Sequence, residues 1–163
     1  MDATQPDLQP DIAITDVSAH TREFLEHHHA AAMLTVGTDG RPKAAKIEPA
    51  LVGDRLLSVG HRHKVRTRRL RRDPRATLFY DAAGPGWLAL ETTVEILDTT
   101  STPADIIEFM RVLQRRRVGP LRWIDEHGTE VELDEPRFAD AMVAEGCLLY
   151  HFRIDKTYGN LAP

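Results

Sequence analysis

Cysteine is almost absent from the chain: Cys147 is the single one in 163 residues. An intrachain disulfide framework is therefore excluded, and so are metal patterns built on cysteine pairs. No apolar run approaches the roughly 20 residues of a membrane-spanning helix. The stretch Met1 to Asp11 is polar and acidic, with Pro6 and Pro10, and lacks the basic and apolar regions of a signal peptide. These absences give the expectation of a cytoplasmic protein with no membrane partner. There is no Gly-x-Ser-x-Gly elbow and no His-Glu-x-x-His pair, so hydrolase triads and zinc-protease chemistry have no foothold. The net charge of −4 argues against nucleic acid as a partner of the molecule as a whole.

What is present reads as one soluble globular domain. Hydrophobic residues make up 42% and charged residues 28%. A chain of this length buries about 70% of its unfolded surface, enough to hold a core without staples. Residues 1–14 read as a flexible leader and residues 15–163 as a single domain.

The pattern predicts an opening helix capped by Asp16 or Ser18 and running to about His29. Ala31 to Gly37 reads as a buried strand. Asp39-Gly40 is a strong hairpin signal, returning the chain through a partner strand from Pro42 to about Val52. Gly53-Asp54 turns into a strand over Arg55 to Gly60. A short helix, Val65 to Arg72, ends at Asp73-Pro74. Strands follow over Arg75 to Asp81 and Trp87 to Leu97. Thr102-Pro103 starts a helix that runs to Gly119-Pro120. Residues 121–133 carry no clear signal. Asp134-Glu135-Pro136 opens a helix to Ala144, and Cys147 to Ile154 is a last strand. Consecutive hairpins with helices at the edges give an α+β fold built on an antiparallel sheet, of barrel type.

Charge is unevenly spread. Eight of the 21 Lys and Arg residues fall between His61 and Arg75. There a strand and a short loop lead into a helix N-terminus, where free backbone N–H groups and the helix dipole favour an anion. Lys64 and Arg66 lie at that end, and Ser58 on the preceding strand adds a hydroxyl. The pattern predicts a phosphate cradle. Arg68, Arg69, Arg71 and Arg72 cannot all face one ligand on a helix of 3.6 residues per turn, so most of them belong to a solvated face. A second run, Arg115-Arg116-Arg117, ends a helix, where the dipole favours cations.

His27-His28-His29 point in three directions and form no facial metal site. His61-x-His63 lacks a third ligand at metal spacing, so the sequence identifies no metal site. Cys147, inside an apolar strand, reads as a small buried hydrophobe. Glu48 and Glu91 are candidate site carboxylates wherever they face a cleft.

The segment Ala31 to Asp81 carries a set of landmarks. They are Asp39-Gly40-Arg41-Pro42, the basic loop-helix, and Leu70-Arg71-Arg72-Asp73-Pro74-Arg75 before a strand. Trp87-Leu88-Ala89-Leu90-Glu91 and Tyr158-Gly159 follow. In this order the chain resembles the pyridoxamine 5'-phosphate oxidase-like split β-barrel superfamily, in its branch of flavin- and deazaflavin-dependent oxidoreductases. The resemblance implies an antiparallel split β-barrel with flanking helices. It implies a homodimer with the cofactor, FMN or coenzyme F420, at the subunit interface.

The basic loop-helix would hold the cofactor phosphate. Arg66 matches the family's basic residue three before the usual Asn-Leu, although Arg69 stands where that Asn is common. The backbone of the second strand would lie along the ring system with Lys46 nearby, and Ser58, Val59 and Gly60 would flank it. His63, beside Lys64, joins the cofactor contacts. Trp87 marks the entry of substrate over the ring. The cofactor carries the hydride chemistry, so no catalytic residue is assigned. Arginines beyond the phosphate site suit the carboxylate tail of F420. The expected activity is hydride transfer to a small organic acceptor. The alternative is a non-catalytic split-barrel dimer that binds a cofactor or another phosphorylated ligand.

Overall fold

Local chemistry sets most element boundaries in the computed structural model, which describes residues 17–82, 85–125 and 127–161. The leader expected over residues 1–14 lies outside that set. Ser18 caps α1 (Ala19–His27), its hydroxyl accepting from the Thr21 N–H. The Asp39-Gly40 turn joins β1 (Ala31–Val36) to β2 (Pro42–Ile47), with Gly40 at φ +74°. That left-handed conformation costs glycine little. There follow β3 (Ala50–Val52), β4 (Arg55–His61), α2 (Val65–Arg72), β5 (Arg75–Asp81) and β6 (Trp87–Leu97). After α3 (Thr102–Leu113) come β7 (Leu121–Ile124), β8 (Glu130–Leu133), α4 (Glu135–Ala144) and β9 (Cys147–Asn160). Asp134 caps α4 by accepting from the Arg137 N–H.

The main sheet has seven strands in the order β2-β1-β5-β6-β9-β4-β3, and every pairing is antiparallel. The fold is thus the expected α+β, sheet-based one. One detail differs. The single strand expected over Pro42 to Val52 is two strands, β2 and β3, on opposite edges of the sheet. Only Glu48 and Pro49 separate them. Three Cα–Cα steps reach at most about 11 Å, so the sheet curls far enough to bring its two edges close together. Pro49 has no N–H to give a ladder, and it falls at the break.

The core lies on both faces of the sheet. One cluster gathers Leu56, Leu78, Leu90, Tyr150 and Phe152 with Leu25 of α1 and Leu70 of α2. The other gathers Leu57 and Leu149 with Ile106 and Phe109 of α3 and Phe138 and Met142 of α4. Alternation along β4 divides the strand between them: Leu56, Ser58 and Gly60 face the first, and Leu57, Val59 and His61 the second. Within the stretch 121–133, unreadable in the sequence, β7 and β8 pair antiparallel. Within the described residues, no helix is long and apolar enough to cross a membrane.

A buried hydroxyl relay docks α2. Thr67 is fully buried and its hydroxyl donates to the His61 carbonyl at 2.6 Å. With that proton committed, Thr67 Oγ1 accepts from the Tyr150 hydroxyl of β9. The phenol end of Tyr150 packs against Gly60, where a Cβ would stand 2.3 Å from a ring carbon. The relay ties the first turn of α2 to β4 and β9.

Candidate functional site

A cleft of about 800 Å³ opens between β2, β4, the first turn of α2, the end of α3 and the β7–β8 hairpin. That volume suits a drug- or cofactor-sized molecule. The break after Ile47 places Lys46, Ile47 and Glu48 along one wall. Because β2 is an edge strand, its outward N–H and C=O groups have no ladder partner among the described residues. Ser58, Val59 and His61 of β4 form the next wall, and α2 sends in Arg66. Phe109, Met110 and Leu113 supply apolar surface from α3, and Trp123 supplies it from β7.

The cleft is cationic although the chain is acidic. Lys46, Arg66, Arg115 and Arg122 line it against the carboxylates of Glu48 and Glu130. Arg66 Nε is buried and has no hydrogen-bond partner among the described residues. A buried donor left in this way costs about 1–3 kcal/mol, and an anion in the cleft would remove that cost. Arg115 sits at φ +52°, a left-handed conformation rarely taken by a side-chain-bearing residue. It ends α3 and turns its side chain to the cleft. Gln114 holds this corner, its amide N–H donating to the Arg122 carbonyl at 2.6 Å and its Oε1 accepting from the Arg122 N–H at 3.0 Å.

His29 completes the rim. Its Nδ1 stands 3.1 Å from the Pro49 carbonyl, which can only accept, so Nδ1 carries the proton and Nε2 keeps its lone pair. Burial, and then the charge on Arg115, lower its pKa below the ordinary histidine value, which leaves the ring neutral at neutral pH. The cleft therefore combines fixed cations, a strand edge unpaired among the described residues and the neutral imidazole acceptor of His29.

Of the residues singled out in the sequence, Lys46, Ser58, Val59 and Arg66 come together in this cleft, and Glu48 joins them. Ser58 is only 2% exposed. Gly60 instead lies beneath Tyr150. His63 and Lys64 line a separate cavity of about 160 Å³ with His61, Asp125 and Glu145. Trp87 is far along the sheet, 6.0 Å from both Phe79 and Tyr158 in ring contact. Glu91 borders another hollow, beside β1 and β5.

Most of the loop-helix arginines are committed within the chain. Arg62 and Arg71 bond Asp98, and Arg72 donates to the Val36 carbonyl at 2.7 Å. Arg75 pairs with Asp73, and Arg68 donates to the His63 carbonyl. His29, Arg115, Arg122 and Trp123 were not identified as site residues from the sequence. The arginine run was visible, but a left-handed turn at Arg115 has no sequence signal. Cys147 is 5% exposed, and burial, aided by Glu145, pushes its thiol up to about 12. It is therefore no thiolate nucleophile.

Residues 17–132 match the family model described as pyridoxamine 5'-phosphate oxidase. No curated protein matches the chain. Among solved structures, a conserved hypothetical protein of Mycobacterium tuberculosis superposes with a TM-score of 0.65 at 18% identity, covering 87% of this chain and 82% of that one. An F420 reductase gives 0.58 at 18%, covering 83% and 94%. A FAD-binding protein of Mesorhizobium loti gives 0.55 at 16%, covering 88% and 94%. At these identities the likeness is one of fold, the split β-barrel expected from the sequence.

Proposed function

Since the chain belongs to the pyridoxamine 5'-phosphate oxidase family, we propose that it is an oxidoreductase that binds coenzyme F420 or FMN in the cationic cleft. The observation that carries the reading is Arg66, a half-buried side chain whose buried Nε has no hydrogen-bond partner among the described residues, at the wall of a cleft of about 800 Å³. Its planar fork suits a phosphate.

In this reading Arg66 holds the cofactor phosphate at the first turn of α2. The free edge of β2 offers backbone donors and acceptors along the ring, with Lys46 beside it. Val59 and Trp123 cover its apolar faces. His29 Nε2 accepts a hydrogen bond from a ring N–H. Arg115 and Arg122 meet further carboxylates, which favours the F420 tail over FMN. When bound, the cofactor supplies the hydride that passes to a small organic acceptor. Lys46 and the arginines stabilise the negative charge that builds on the ring during reduction.

The active unit in this proposal is a homodimer. Phe79 and Tyr158, each about 40% exposed, form an aromatic patch with Trp87 on neighbouring strands. Such a patch suits a partner surface. It gives Trp87 a place at the subunit contact rather than in the cleft of its own chain. His63 and Lys64 remain at the rim of the smaller cavity.

The test is a titration of purified protein with FMN and with F420, followed by turnover assays with the reduced cofactor. Tight binding of one with turnover supports the reading. Tight binding without turnover points to the non-catalytic cofactor binder. Binding of neither overturns the cofactor assignment.

A further inference from the structure

The small cavity beside the main cleft carries a donor set that the proposed chemistry does not use. His61 and Cys147 are direct cross-strand partners on β4 and β9, so their side chains leave the same face of the sheet. Two residues before Cys147, Glu145 ends α4, and Gly146 at φ +64° turns the chain between them. One ligand atom from each of His61, Glu145 and Cys147 falls within 4.8 Å of the others. Two ligands on a tetrahedral zinc, each about 2.1 Å from the ion, stand about 3.4 Å apart. A bound ion would require side-chain rotations that close that difference.

The set is built rather than incidental. The side chains of His61 and Glu145 are 18% and 12% exposed, and Cys147 is buried. The Trp123 indole N–H lies 3.1 Å from both oxygens of Glu145 and orients the carboxylate. Outer partners of this kind fix metal ligands in place. The adjoining cavity of about 160 Å³ has His63 and Asp125 on its wall, leaving room for a fourth ligand or water. Lys64 shares that wall, and its charge favours an anionic or neutral fourth ligand over a second cation.

We propose that His61, Glu145 and Cys147 form a binding site for a divalent transition metal of the zinc class. One imidazole, one carboxylate and one thiolate are borderline-to-soft donors, which select zinc or cobalt over magnesium or calcium. Binding forms a metal–sulfur bond and releases the thiol proton to solvent. The sequence concealed this site because His61 lies more than 80 residues before Glu145 and Cys147 and meets them only through the register of β4 with β9.

The test uses the full chain without an affinity tag, stripped with a chelator and titrated with Co²⁺ alone. The expected result is one equivalent per chain and a thiolate-to-cobalt charge-transfer band in the near ultraviolet. Cys147→Ser is expected to abolish the band, and Glu145→Gln and His61→Gln each to weaken binding at least tenfold. Circular dichroism checks that each variant is folded, and His61→Gln keeps the test informative if the buried serine prevents folding. His27→Gln/His28→Gln removes two exposed histidines of the native run and is expected to leave the band intact. The proposal is overturned by a protein that retains no cobalt, by cobalt bound without a thiolate band, or by a band that depends on His27 and His28. FMN and F420 titrations are read separately, so this site and the cofactor cleft stand or fall independently.

Discussion

Two arginine clusters of similar composition have different fates in this fold. Between His61 and Arg75, five of the eight cations are matched to neighbours: Asp98 takes Arg62 and Arg71, Asp73 takes Arg75, and backbone carbonyls take Arg68 and Arg72. Arg66 alone of that helix reaches the cleft. Between Arg111 and Arg122 the division is more even. Arg111 and Arg116 are paired with Glu135 and Glu132, whereas Arg115 and Arg122 line the cleft. A run of charge therefore does not locate a site. The large cleft is marked instead by cations from both clusters meeting there, with the Arg66 Nε buried and without a partner among the described residues.

The sharpest way to break this contrast is within α2. Arg66→Ala is expected to weaken cofactor binding by about 1.5–3 kcal/mol, the scale of a hydrogen bond to a charged group. Arg71→Ala, on the same helix but bonded to Asp98, is expected to leave affinity unchanged. Titration of both variants checks the pair. Equal losses would mean that overall charge, not the unpaired guanidinium, draws the ligand.

The relay beneath α2 gives a smaller effect of a different kind. Tyr150→Phe removes the hydroxyl that donates to Thr67, and stability is expected to fall by about 1 kcal/mol, with more when Thr67 Oγ1 is left unpaired. Denaturant melts measure it. Cofactor affinity should fall with it, because Arg66 precedes Thr67.

Arg115→Gly separates strain from charge. Relief of the left-handed φ is expected to raise stability by about 1 kcal/mol. Loss of the cation is expected to lower affinity for a carboxylate-bearing cofactor more than for FMN. A variant with lower stability would contradict the strained conformation.

How far the sequence could show all this depends on how local each cause is. The Asp39-Gly40 turn, the Ser18 and Asp134 caps and the limits of β5 and β6 are set by a few adjacent residues, and all were legible. The split at Glu48-Pro49 was not, because β2 and β3 take partners from opposite edges of the sheet. The β7–β8 hairpin was not legible either, so Trp123 went unseen. Lys64 and Arg66 are two apart and seemed equivalent candidates. Lys64 is the extended N-cap before α2 and Arg66 lies in its first turn, and of the two only Arg66 meets the cleft.

The smallest expected effect lies in the paired cluster and appears only in acid. Arg75 holds the Asp73 carboxyl at about 2, and Arg62 holds that of Asp98 below the usual carboxylate range. A folded pKa below the unfolded value gives stability that is present above the ordinary pKa of about 4 and lost as pH falls. The decline should run from about pH 5 toward pH 2 and be shallower in Asp98→Asn. These pairs are largely exposed and screened by solvent, so the effect is small.

The chain has two tryptophans, and they report on the two surfaces that the account keeps apart. Trp123 walls the cleft, and Trp87 lies in the aromatic patch. The most direct measurement follows their two indole N–H signals by proton–nitrogen NMR, assigned with Trp87→Phe, as FMN or F420 is added. The account expects the Trp123 signal to shift strongly with saturation and the Trp87 signal to stay close to its place. A large shift at Trp87 with Trp123 unmoved would contradict it and put the cofactor on the patch instead of in the cleft.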